Sequence, residues 1–280
     1  MKRILTAVVL ILVVFAVVFL GHLWMVAVLA ALIAELAGYE YVQLADATGL
    51  KIPIWWMAPA TAMVFVAAYA WPADTQLPTL TALGFVLFAL SGFLRPLKQA
   101  LPETAAGVFG LLYIAYPLSL LAQIWNRDDG KPLVLFLMVC VWAGDIAALY
   151  AGRTFGRRKL APRLSPGKTW AGSVASLVGS MLAGGAVFWA GDLLSARGNM
   201  VLHIEEPLWQ VMILAVVLNA AAQLGDLLES AIKRGAEVKD SGTILPGHGG
   251  VLDRIDALLL ATPVLWYALL VKDWLHVGRF

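Results

Sequence analysis

The sequence is poor in charge. Asp, Glu, Lys and Arg together make up 14% of its 280 residues, well below the ~25% of a soluble domain. It has a single cysteine, Cys140, so no disulfide can form within the chain. It also lacks any long polar stretch, because its loops run to a couple of dozen residues at most, which excludes a soluble domain of useful size. Neither an internal repeat nor a low-complexity tail is visible. Apolar residues fill the chain instead, at 61% of the total and a mean hydropathy of +0.83. Runs of about 20 apolar residues recur, each long enough to cross a ~30 Å hydrocarbon core. The composition therefore predicts an all-α polytopic integral membrane protein.

Nine spans are expected, at 4–20, 23–45, 54–71, 79–95, 104–125, 132–151, 170–190, 207–232 and 257–272. The first, within MKRILTAVVLILVVFAVVFL, resembles a signal peptide but has no small-residue cleavage site before the next apolar run, so it reads as a retained helix. Pro53, Pro72, Pro78, Pro96, Pro102 and the polar run 126–131 mark ends. Lys2 and Arg3 precede the first span, and loop 152–169 carries Arg153, Arg157, Arg158, Lys159, Arg163 and Lys168 with no acid. Loop 233–256 carries Lys233, Arg234, Lys239 and Arg254. Positive charge stays on the cytoplasmic side, and nine spans from a cytoplasmic N-terminus put both loops there. The expected organisation is an N-terminal set of helices over 1–103 and a catalytic region over 104–280, with its polar site at the cytoplasmic side.

The scarce charge is concentrated. Nine ionisable side chains fall between Ser230 and Asp256, in SAIKRGAEVKDSGTILPGHGGVLDRID. Upstream, Gln223, Asp226, Ser230 and Lys233 share one helical face, with Glu229 on its flank. A polar stripe on a membrane helix must face a bundle interior or a wet cavity. Helix-packing hydrogen bonds explain Gln223 and Ser230; a carboxylate such as Asp226 fits that explanation less well. Lys239, Asp240 and the glycines around His248 follow, and such glycines let backbone N–H groups approach an anion. Asp253 and Asp256 then open the last span, where the helix dipole favours negative charge. Capping alone does not account for three carboxylates (Asp226, Asp253, Asp256) beside Lys233, Arg234, Lys239 and Arg254. Carboxylates with open positions suit Mg²⁺ held jointly with substrate phosphates, and Lys and Arg suit the remaining phosphate charge. Metal-assisted phosphoryl or nucleotidyl transfer needs that combination.

The preceding loop adds to this. Trp142, Asp145 and Arg153 share a face of the sixth span, where Asp145 serves either an ion pair within the bundle or a functional site. Ser165-Pro166-Gly167-Lys168-Thr169-Trp170 leads into the seventh span; Ser165 or Thr169 can cap it and Lys168 adds a point charge. The upstream glycine pattern of a Walker A loop is missing.

At these residues the chain resembles the phosphatidate cytidylyltransferase (CDP-diacylglycerol synthase) family. The family signature runs Ser-x-aliphatic-Lys-Arg, four residues, Lys-Asp, then Pro-x-His-Gly-Gly, then Asp-Arg-x-Asp, and every element stands here within the 27 residues from Ser230 to Asp256. Trp142-Ala-Gly-Asp145 through Gly152-Arg153-x-Phe155-Gly156, Ser165-Pro-Gly-Lys168-Thr169-Trp170, and the lead-in Gln223-x-Gly-Asp226-x-x-Glu229-Ser230 also look like the family's. Ala171 departs from it, since many members carry Glu there. The likeness is close over the C-terminal half; the first spans are similar only in hydropathy and in Glu40.

The resemblance implies a bacterial inner-membrane enzyme that condenses CTP with phosphatidate, releasing pyrophosphate and making CDP-diacylglycerol. It implies Mg²⁺, alone or with a second cation such as K⁺, and a homodimer among membrane lipids, with no nucleic acid partner. Carried over by position, Asp226 and Asp253 would be the metal ligands. Lys233, Lys239, Asp240, His248 and Asp256 join them as the expected catalytic set. Ser165, Lys168, Thr169, Arg234, Arg254, Ser230 and Asp145 are the expected substrate-binding set. The nucleophile would be the lipid's own phosphate oxygen, so no Ser, Cys or Lys nucleophile is required. A related enzyme acting on another lipid phosphate fits the same residues. A CDP-alcohol phosphotransferase would show paired Asp-Gly and Ala-Arg elements that are absent here. A secondary transporter would favour repeated halves and charges near the midplane, and neither is seen.

Overall fold

The computed structural model describes residues 12–70, 75–245, 247 and 249–277. Helix α1 covers 12–20, and α2 (Leu23–Ala47), α3 (Ile54–Ala70), α4 (Gln76–Leu94) and α5 (Leu97–Gly110) follow. A π-helical turn (Leu111–Ala115) joins α5 to α6 (Tyr116–Trp125). Then come α7 (Gly130–Phe155), a hairpin of β1 (Lys159–Ala161) and β2 (Ser165–Thr169), α8 (Trp170–Ser195), α9 (Leu208–Gly235) and α10 (Leu252–Val277). The protein is an all-α polytopic membrane protein. Among the described residues, seven helical stretches are long and apolar enough to cross a bilayer, with Leu97–Trp125 counting as one. The expected span at 54–71 appears as α3, whose 17 residues fall short of that length. The expected span at 4–20 lies partly outside the described residues.

Most boundaries fall within a few residues of expectation, and the deviations have local causes. Pro102 was read as an end, yet it sits inside α5, so the span begins at Leu97 rather than 104. A proline removes one backbone donor, and a helix flanked by well-bonded turns tolerates that loss. Pro117 enters α6 just after the π turn, where the Tyr116 N–H reaches back to the Leu111 carbonyl. The widened turn precedes the residue that cannot donate. The basic loop 152–169 is not open coil: β1 and β2 pair antiparallel, with Lys159 opposite Thr169 and Ala161 opposite Ser165.

By their internal contacts the described residues group into two compact units, one of Met1–Gln123 with Ala231–Ile255, the other of Ile124–Ser230 with Asp256–Phe280. In the first unit the core gathers Tyr41, Trp56, Met57, Leu87 and Leu111, and the Tyr41 hydroxyl donates to the Ala106 carbonyl at 2.8 Å.

In the second unit α7 and α8 lie antiparallel on a face of small residues. Gly172, Ser176, Ser180 and Gly184 are buried at every fourth position of α8, against Gly152, Gly144 and Cys140 of α7. Val174, Val178, Leu182 and Trp189 on the other side are 50–72% exposed. Small residues inside with large apolar ones outside is the pattern of a helix pair surrounded by lipid, where close backbone approach replaces hydrophobic burial. In water such a surface would be an aggregation patch.

Candidate active site

The site grows from the α7–hairpin–α8 turn of the second unit. Thr169 ends β2 and caps α8, its hydroxyl accepting from the Gly172 N–H at 3.1 Å. That cap fixes the preceding residue, Lys168, which points at α9 and meets Asp226: Nζ to Oδ2 is 2.6 Å. Both side chains are partly buried, 23% and 35% exposed. They line a cavity of about 540 Å³ together with Asp145, Arg153, Ser165 and Gln223. Ligand sites typically run to roughly 300–1,000 Å³.

Asp226 has two carboxylate neighbours. Glu229 lies one turn further along α9 and is fully buried, and Asp256 comes from α10. One oxygen from each of the three falls within 4.8 Å of the others. Gly225 makes this approach possible, since a Cβ there would stand 2.6 Å from the Asp256 carbonyl oxygen. Three carboxylates this close repel one another in a low-dielectric setting, and a divalent cation offsets the repulsion. The donor set fits Mg²⁺, a hard cation that takes carboxylate oxygens and keeps further positions for water or phosphate.

Below the cavity the polar stripe becomes packing. Gln223 accepts from Ser173 at 2.5 Å and donates to Asn219, which donates to Ser176 and Ser180 at 2.9 and 2.7 Å. Ser180 passes its own hydrogen to the Cys140 carbonyl. Here the helix-packing explanation holds for Gln223, while Asp226 on the same stripe faces the cavity.

The other expected residues belong to the first unit, except Ser230, which closes the α9 part of the second. Lys233 Nζ meets Asp253 Oδ1 at 2.5 Å, and Asp253 Oδ2 accepts from the Ser241 and Gly250 N–H groups at 2.9 and 2.8 Å. Both Asp253 oxygens are thus engaged in holding the loop, while within the second unit Glu229 and Asp256 gather with Asp226. The two aspartates differ because Asp253 sits in reach of Lys233, Ser241 and Gly250, whereas Asp256 falls where Gly225 admits the backbone of α10. Arg234 donates to the Val238 carbonyl at 2.6 Å, and Arg234, Lys239, Asp240 and Arg254 are exposed. Ser230 is buried, with 7% exposure. His248 lies outside the described residues. Three contributors were not among the expected set: Glu229, which the sequence placed on the flank of the stripe; Arg153, which it placed on a face with Trp142 and Asp145 but gave no role; and Ser173, with no signal at all.

The second unit is thus part of a polytopic membrane bundle in which Lys168, Arg153 and Asp226 line one cavity, with Glu229 and Asp256 beside Asp226. The cytidylyltransferase family profile matches residues 1–271, and the chain belongs to that family. It is 43% identical over 162 residues to a phosphatidate cytidylyltransferase of Brucella suis, a match covering 58% of this chain and 55% of that protein. The chain thus spans about half the length of the Brucella relatives it matches. It is also 31% identical over 267 residues to a phosphatidate cytidylyltransferase of Staphylococcus haemolyticus, covering 94% of this chain and 96% of that one. A Haemophilus influenzae protein of the same name is 40% identical over 158 residues, 55% of this chain and 52% of its own length.

Proposed function

We propose that the chain transfers CMP from CTP to phosphatidate, giving CDP-diacylglycerol and pyrophosphate. The observation that carries this reading is the Lys168–Asp226 pair beside the Asp226–Glu229–Asp256 triad. Cations and carboxylates so disposed suit a reaction between two phosphate anions, and the names of the full-length and partial relatives support the choice of substrates.

In this mechanism a phosphatidate oxygen attacks the α-phosphorus of CTP. A new P–O–P bond forms, the bond between the α-phosphorus and the oxygen bridging to the β-phosphorus breaks, and pyrophosphate leaves with that electron pair. Asp226, Glu229 and Asp256 would hold Mg²⁺, which when bound supplies positive charge to the triphosphate and to the departing pyrophosphate. Lys168 exchanges its partner carboxylate for a phosphate oxygen and carries part of the transition-state charge. Arg153, at the cavity wall, offers a forked donor for a second phosphate. The Thr169 cap keeps Lys168 in register, so less ordering is needed at the moment of reaction. No protein nucleophile takes part. The run of basic residues from Arg153 to Lys168 supports a cytoplasmic-facing cavity, where CTP arrives from water and the lipid from the bilayer.

The test is pyrophosphate release by the purified protein in detergent with Mg²⁺, CTP and a panel of lipid phosphates. Release with phosphatidate, absent without lipid, supports the reading. Release only with another lipid phosphate reassigns the acceptor, and no release with any rejects the reaction.

A further inference from the structure

Glu40 lines neither the cavity nor the carboxylate triad. It lies near the end of α2, has no exposed surface, and belongs to a unit that contains none of the triad. A carboxylate in such a place must be well satisfied. Its partners come from about 200 residues further on. Oε1 accepts from the Val251 N–H at 2.9 Å; Oε2 accepts from the Leu252 N–H at 2.9 Å and from the Ser241 hydroxyl at 3.0 Å. Val251 and Leu252 begin α10, so the carboxylate sits on the positive end of that helix.

The surrounding chain is shaped to admit it. A Cβ on Gly242 would stand 2.8 Å from the Glu40 carboxyl carbon, and one on Gly250 would stand 2.7 Å from the same atom. Ser241 links this carboxylate to Asp253, because its hydroxyl accepts from the Asp253 N–H at 3.3 Å while its own N–H donates to Asp253. Glu40 and Asp253 together take up the N–H groups of Ser241, Gly250, Val251 and Leu252. The N–H groups of Ser241, Gly250, Val251 and Leu252 form a nest for an anion, and protein carboxylates fill it.

We propose that Glu40 is a positioning residue: its carboxylate occupies the anion nest at the start of α10 and so holds Ser241, Gly250, Val251, Leu252 and the Lys233–Asp253 pair in working order. These four N–H groups are then not open to substrate phosphates. The kinetic part of this proposal rests on the reaction proposed above; the structural part does not.

The test uses the full chain in detergent, as wild type, Glu40→Ala, Glu40→Gln and Gly242→Ala. Gln keeps the size but turns an NH₂ toward backbone donors, Ala opens a cavity, and Gly242→Ala pushes on the carboxylate from outside. Amide hydrogen exchange at Val251 and Leu252 should quicken by about tenfold or more in all three, because donors lose their acceptor. Sodium formate, compared with chloride at equal ionic strength, should slow that exchange again in Glu40→Ala and leave Glu40→Gln unchanged, since only the former has room for the ion. In CMP transfer, kcat should fall by about tenfold or more in Glu40→Gln while the KM for CTP moves less than about threefold, a loss of positioning rather than of substrate binding. Unchanged exchange at Val251 and Leu252 overturns the proposal, as does exchange in Glu40→Ala that formate does not slow. Quickened exchange with wild-type kcat in Glu40→Gln overturns the positioning role. Should the wild type not turn over CTP and phosphatidate, the proposed reaction fails by itself, and the exchange and formate arms still decide the role of Glu40.

Discussion

Lys168 and Asp226 hold opposite charges 2.6 Å apart in a cavity of nucleotide size. Each keeps the other from being a lone charge in a poorly solvated place, and each has a use once an anion and a cation arrive. Removing the carboxylate should therefore stop catalysis rather than weaken binding: Asp226→Asn and Glu229→Gln should each lower the initial rate of CMP transfer by at least about 10²-fold, measured with labelled CTP on protein whose helical circular dichroism is unchanged. Lys168→Ala should raise the KM for CTP as well as lower kcat, and unaltered kinetics would remove Lys168 from the site. At this scale the sequence was informative about Asp226, because the spacing of α9 put it on a polar stripe that packing explains only for Gln223. It did not separate Asp253 from Asp256. Both stand in the opening turns of α10, and what distinguishes them is tertiary: Gly225 opposite one, Lys233 and Ser241 opposite the other. Glu229, on the flank of the same stripe, was named without a role. Glu40 acts about 200 residues along the chain from its partners, a distance no periodicity can bridge.

The elements owe their legibility to the bilayer. Apolar runs of about 20 residues fix where helices lie, and so α7, α8, α9 and α10 fall close to where they were expected. The hairpin of β1 and β2 left no such mark, since three- and five-residue strands rich in Lys, Ser and Gly look like loop. The end of α9 makes its own prediction. The Val238 N–H reaches the Lys233 carbonyl and the Glu237 N–H reaches the Arg234 carbonyl, the paired bonds of a Schellman motif. Glu237 occupies its left-handed position with φ 59°, where glycine is the usual residue. Glu237→Gly should stabilise the protein by about 1 kcal/mol, because the Cβ penalty of that conformation is removed. A thermal melt in detergent that rises by a degree or more agrees; a fall would mean that the exposed Glu237 side chain supports the turn in some other way.

Across the whole molecule, exposed apolar side chains on the helices are those a bilayer would cover. The outer faces of the helices carry Val, Leu and Trp, and in the second unit Ser176, Ser180 and Asn219 lie buried between the helices, below the cavity. The basic run from Arg153 to Lys168 is the ground for proposing that the cavity opens at the cytoplasmic surface. The only cysteine, Cys140, is buried, so an introduced thiol reports its own side of the membrane. Arg163→Cys, in the hairpin turn between β1 and β2, should react with an impermeant maleimide in inverted vesicles and stay unmodified in intact spheroplasts; the reverse pattern would turn the protein over. The central claim is that the triad and Lys168 carry CMP transfer to phosphatidate. Its most direct measurement is the mass of the lipid formed by protein reconstituted in phosphatidate vesicles and given CTP and Mg²⁺, run beside Asp226→Asn. CDP-diacylglycerol with equimolar pyrophosphate from the wild type, and neither from the variant, is the predicted result. No CDP-diacylglycerol from the wild type, or undiminished product from Asp226→Asn, would contradict it.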